Sequence, residues 1–95
     1  MSVRPSAAAA DDLGEIVAYV SARSQSAAER ILDAVEEALG QIDKAPGAGH
    51  VRGELPAGLR CWVVYSNVII YKPATREVAR ILHGARDLGA LFESE

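Results

Sequence analysis

Apolar residues recur at Leu13, Ile16, Val17 and Val20, the i, i+3, i+4, i+7 spacing that lines one face of a helix. The alanine run from Ala7 to Ala10 favours that helix by propensity, and Ser6 stands where an N-cap is needed. Asp11, Asp12 and Glu15 fall early in it, where the helix dipole favours negative charge, while Gly14 weakens it slightly. The same period returns at Ala28, Ile31, Leu32, Val35, Leu39 and Ile42, with Arg30, Asp33, Glu36 and Glu37 on the opposite side. This predicts a second helix reaching about Asp43. Ser24-Gln-Ser26 reads as the turn between them, and Ser26 with Glu29 has the spacing of a capping box. Two helices joined by so few residues lie nearly antiparallel.

Pro46 and Gly47 end the second helix, and residues 50–58 read as a loop with a short extended piece from Val51 to Leu55. Leu59 to Tyr65, Val68 to Lys72, and Arg76 or Glu77 to His83 are rich in β-branched and aromatic residues and read as three strands. Ser66-Asn67 is the predicted hairpin turn, and Pro73-Ala-Thr75 the next break. Val3-Arg4 forms a short first strand that Pro5 ends or confines to an edge. After Gly84, Ala85 to Phe92 suggest a last helical turn or two. The order β-α-α-β-β-β(-α) is α+β: an N-terminal helix hairpin packed on a small antiparallel sheet, in a single domain over residues 1–95. Strand alternation puts Cys61, Val63 and Tyr65 on one face and Arg60, Trp62 and Val64 on the other. Only one set can lie under the helices, and an apolar set left uncovered marks a partner site.

Composition narrows the picture. Ninety-five residues, 49% of them hydrophobic, suffice for one ordinary globular domain. A lone cysteine, Cys61, permits no internal disulfide and fits a reducing cytoplasm. The N-terminus does not read as a signal peptide, and no apolar run approaches the ~20 residues that span a bilayer. The net charge is −3, with −4 in the first fifty residues and +1 in the rest. Sequence-specific nucleic-acid binding is therefore not expected, since phosphate contacts call for a basic excess.

The search for chemistry is mostly negative. Two histidines, one cysteine and no ligand pair at helical spacing give no metal site, and no cofactor is expected. The glycines of Pro46-Gly-Ala-Gly49 lack the Lys-Ser/Thr of a phosphate loop and follow a helix rather than precede one. Cys61, inside an apolar strand, reads as a buried structural thiol. Asp11-Asp12 and Glu36-Glu37 are neighbours about 100° apart on a helix and form no converging dyad. His83, where a strand meets a turn, is a candidate acid–base group as well as an ordinary hydrogen-bonded histidine.

Several segments resemble ParE-type toxins of the RelE/ParE toxin–antitoxin superfamily. Ala10-Asp-Asp-Leu13 with Ile16 and Tyr19 is similar to the family's opening helix. Pro46-Gly-Ala-Gly49-His-Val-Arg52-Gly-Glu-Leu55 is similar to its loop after the hairpin, and Arg60 with Tyr65 to Tyr71 to its central hairpin. Val78-Ala-Arg80-Ile-Leu-His83-Gly-Ala-Arg86-Asp-Leu88 is the most specific stretch. The resemblance implies a toxin that poisons DNA gyrase without catalysis and is neutralised by a ParD-like antitoxin whose C-terminal part folds on binding. Arg60, Trp62, Arg80 and Arg86 are the candidate antitoxin contacts, and Leu88, Leu91 and Phe92 the candidate gyrase-facing residues. RelE-like members cleave messenger RNA on the ribosome instead, which requires groups for proton transfer and phosphate charge. Arg80, His83 and Arg86 would carry that alternative, although the C-terminal segment offers no tyrosine. A family member without toxicity, kept as an antitoxin-binding module, is a third reading.

Overall fold

The computed structural model describes residues 3–53 and 55–83. Strand β1 (Arg4–Pro5) leads into helix α1 (Ala7–Ser21), which turns back into helix α2 (Gln25–Lys44). A single 3₁₀ turn over Pro46–Ala48 follows, then β2 (Arg60–Val64), β3 (Asn67–Lys72) and β4 (Glu77–His83). The sheet order is β1-β4-β3-β2, with β1 parallel to β4 and the remaining pairs antiparallel. The expected α+β architecture is present, and the sheet is mixed because β1 joins it in parallel. The predicted last helical turn, residues 85–92, lies outside the described residues.

Local chemistry explains the helix starts. Ser6 is extended, and its Oγ accepts the Ala9 N–H at 3.1 Å. The second helix starts earlier than the capping box suggested. Ser24 is the N-cap, accepting the Ala27 N–H at 3.1 Å, and Ser26 lies in the first turn. Both serines can cap; beginning at Gln25 adds intrahelical hydrogen bonds without opposition from Gln25 or Ser26, and propagation favours the longer helix. Beyond the 3₁₀ turn, the extended piece expected at Val51 to Leu55 reduces to His50, which bridges Cys61.

The hairpin turn is also displaced by one residue. Tyr65 and Ser66 make it, and Asn67 opens β3 opposite Val64. Tyr65 adopts φ 56°, a left-handed conformation normally left to glycine at this place in a two-residue hairpin. Its ring is 64% exposed, so little packing offsets that cost. Tyr65→Gly is accordingly expected to raise the unfolding free energy by about 0.5–1 kcal/mol, read from a shift of the urea midpoint at constant slope.

Two cores sandwich the sheet. On the helix side Ala9, Val35, Ala38 and Ile42 pack on Val64, Ile69, Tyr71, Val78 and Ile81, with Trp62 partly buried against them. On the other side Cys61, Val68, Ile70 and Leu82 pack with Leu55 and Leu59 of the 51–59 loop. The alternation is thereby settled: Trp62 and Val64 face the helices, and Cys61 is the buried structural thiol expected. Tyr71, whose burial pushes its phenol pKa up, accepts the Gly49 N–H at 3.0 Å and donates to the Pro46 carbonyl at 2.7 Å. That fastens the 3₁₀ turn to the sheet.

Candidate functional site

β1 covers only the beginning of β4, and Ser6 and Asp12 cover more of that edge. The Ser6 N–H reaches the Val78 carbonyl at 2.8 Å, and the Ser6 Oγ donates to the Ala79 carbonyl at 2.8 Å. Asp12 accepts the Ile81 N–H at 3.0 Å and takes both Nε and Nη2 of Arg80, at 2.7 and 2.8 Å. Burial raises the Asp12 pKa. The Arg80 hydrogen bond, the Ile81 N–H and the Arg80 charge together outweigh it and hold the carboxyl below its ordinary value. Arg80 is thus tied to α1, with its charge neutralised in a bidentate pair.

His83 ends β4 at the mouth of a groove of about 560 Å³ between the helix hairpin and the β2–β3 turn. It is lined by Glu15, Ile16, Tyr19 and Val20 of α1, Ile31 of α2, and Tyr65 and Asn67 of the hairpin. Tyr19 is 63% exposed, and Arg23 stacks over its ring at 4.7 Å. Asn67 is buried, and its Oδ1 has no hydrogen-bond partner among the described residues. The groove is apolar with a few polar groups, the usual lining of a binding cleft.

The structure disperses the residues expected from sequence. Arg60 Nη1 donates to the Gly49 carbonyl at 2.9 Å and helps hold the loop beside β2. Trp62 lies half-buried under α2 at the open side of the sheet. Arg80 is at the opposite edge, and His83 faces the groove. Arg86, Leu88, Leu91 and Phe92 lie outside the described residues. Tyr19, which the sequence did not single out as a contact, and Val63 and Tyr65, from one of the two strand sets that could mark a partner face, are exposed large apolar side chains. The signal for Val63 and Tyr65 was their place in the Cys61 set, the strand face turned away from the helices; for Tyr19 it was a position just off the apolar stripe of α1. Among the described residues no group of three or more His, Cys, Asp or Glu could hold a metal ion. No helix of the described residues is long and apolar enough to cross a membrane.

Taken together, a helix hairpin on one face of a four-stranded sheet, a groove beside it and a tight Arg80–Asp12 pair define a small α+β protein. The family model described as "ParE toxin of type II toxin-antitoxin system, parDE" matches residues 3–88, and the chain belongs to that family. It is the toxin component of a type II toxin–antitoxin system, a role that implies an antitoxin partner. A search of curated proteins gives no match.

Proposed function

We propose that this toxin acts by binding in the cytoplasm: it poisons DNA gyrase, arrests replication, and is neutralised by a ParD-like antitoxin. Family membership over residues 3–88 carries the reading. The bidentate Arg80–Asp12 pair supports a contact role over RNA cleavage. With Nε and Nη2 held by Asp12 and its charge offset by that carboxylate, Arg80 stabilises an added phosphate charge less than an unpaired arginine would. Arg60, Trp62, Arg80 and Arg86 remain the proposed antitoxin contacts, Arg80 through the donors that Asp12 leaves uncommitted, and Leu88, Leu91 and Phe92 the proposed gyrase-facing residues.

Induction of the toxin without its antitoxin tests this in cells. Growth arrest with protein-linked double-strand DNA breaks, intact transcripts and rescue by co-expressed antitoxin is the expected result. Mapped messenger RNA cuts within minutes of induction, without DNA breaks, would overturn it in favour of the RelE-like activity. Arg80, His83 and Arg86 would then be the residues to substitute. Unimpaired growth with a folded, expressed chain would remove the toxic role of this member.

A further inference from the structure

Glu15, Tyr19 and Arg23 are spaced by four residues and form one row along α1 and the turn that ends it. All three are exposed. Arg23 lies just past the last helical residue, Ser21, and its stacking over the Tyr19 ring at 4.7 Å keeps it in the row. The row borders the groove of about 560 Å³, whose apolar lining includes Ile16, Val20 and Ile31. Tyr65 lines the same groove from the hairpin, exposed, in a left-handed conformation that a glycine would relieve. Two exposed tyrosine rings thus border one apolar groove, and one of them is held there despite backbone strain.

Charge order selects the occupant. The row has an acid four residues before Tyr19 and a base four residues after it, so it is complementary to its own reverse. A second α1 laid antiparallel, with a twofold axis at Tyr19, sets each Glu15 opposite Arg23 of the other copy. Four helical residues rise about 6 Å, so the two ion pairs flank the axis at similar distances. A parallel second helix would set Glu15 on Glu15 and Arg23 on Arg23. An occupant with charge of one sign would meet one attractive and one repulsive residue. Arg80 is within electrostatic reach of Glu15 but gives its Nε and Nη2 hydrogen bonds to Asp12.

We propose that the toxin pairs with a second copy of itself through this face. The two α1 helices lie antiparallel, Tyr19 of each copy packs against Tyr65 of the other, and Glu15 and Arg23 pair across the axis at both ends. The inference stands on the described residues and holds whatever the toxin acts on. One helix face and one groove fall at the small end of specific interfaces, so a weak dimer is expected, with a Kd of about 10–100 µM.

Sedimentation of the full-length toxin over a range of concentrations tests it. A monomer–dimer equilibrium that weakens as salt rises is expected. Glu15→Arg alone sets base against base at both ends, and Arg23→Glu alone sets acid against acid. Each is expected to weaken self-association at least about tenfold. An equimolar mixture of the two variants recreates both opposite-charge pairs in a mixed dimer and is expected to associate about as tightly as the unaltered chain. Tyr19→Ala, at an exposed position, is also expected to weaken the dimer, and it decides the matter should Glu15→Arg fail to fold beside Arg80. A toxin that stays monomeric at about 1 mM overturns the proposal. So do single variants that associate as well as the unaltered chain, or a mixture of folded variants that restores nothing.

Discussion

Asp12→Ala is expected to lower the unfolding free energy by about 2–4 kcal/mol, a large share of what a 95-residue domain possesses. The carboxylate is 13% exposed and serves three donors on β4. Its removal strands the Ile81 N–H at a covered edge and leaves Arg80, 32% exposed, without its counter-charge. Solvent reaching Arg80 keeps the loss below that of a fully buried pair. Asp12→Asn retains an acceptor and loses the charge, so about half the effect is expected. The pair also makes stability depend on pH. With a folded pKa below the unfolded value of 3.8, ionised Asp12 stabilises fully above that value, and the contribution disappears as pH falls through the folded pKa. Between about pH 5 and pH 3 the unaltered chain should therefore lose more stability than Asp12→Asn does. Equal losses would show that the pair contributes no linkage.

The second large effect concerns Gly49. A Cβ there would lie 2.9 Å from Cε1 and Cζ of Tyr71 and closer still to its hydroxyl. The Tyr71 ring is fully buried and cannot swing aside. Gly49→Ala must either displace the ring or detach the loop, breaking the bonds to the Gly49 N–H and the Pro46 carbonyl. A loss of about 2–4 kcal/mol is expected, seen as a fall in Tm of roughly 10–20 °C. Tyr71→Phe loses the same two bonds without the clash and should cost about 1–2 kcal/mol. Combined, the two substitutions should cost less than their sum, because they damage one contact. The neighbouring His50 bridge loosens with the loop.

Much of this was legible along the chain because the burial period was clear. The α2 stripe predicted Ala28, Val35 and Ile42, all buried, and runs of β-branched and aromatic residues predicted β2, β3 and β4. Errors arose where two residues offer the same chemistry. Ser24 and Ser26 are equivalent caps by type, and the helix took the one that lengthens it. Ser66-Asn67 is the better turn by residue preference, yet pairing Val64 with Asn67 moved the turn to Tyr65-Ser66. Cross-strand register overrode the local preference of Tyr65 against positive φ. Trp62 could not be assigned to a face from alternation alone, since both sets are apolar; the helices decide it.

The candidate site was less legible, for a physical reason. Arg80 reads as a free cation in sequence because its partner, Asp12, lies 68 residues away. Nothing local signals that an acid on the first helix will close the edge of the last strand. The groove beside Tyr19 is invisible for a related reason: its lining comes from α1, α2, the hairpin and the end of β4, which meet only in the fold.

The proposed action on gyrase is tested most directly by a cleavage assay with purified toxin, DNA gyrase and supercoiled plasmid. Accumulation of linear, gyrase-linked plasmid that added antitoxin suppresses is the predicted result. Unchanged gyrase activity from folded toxin that still arrests growth in cells would contradict it.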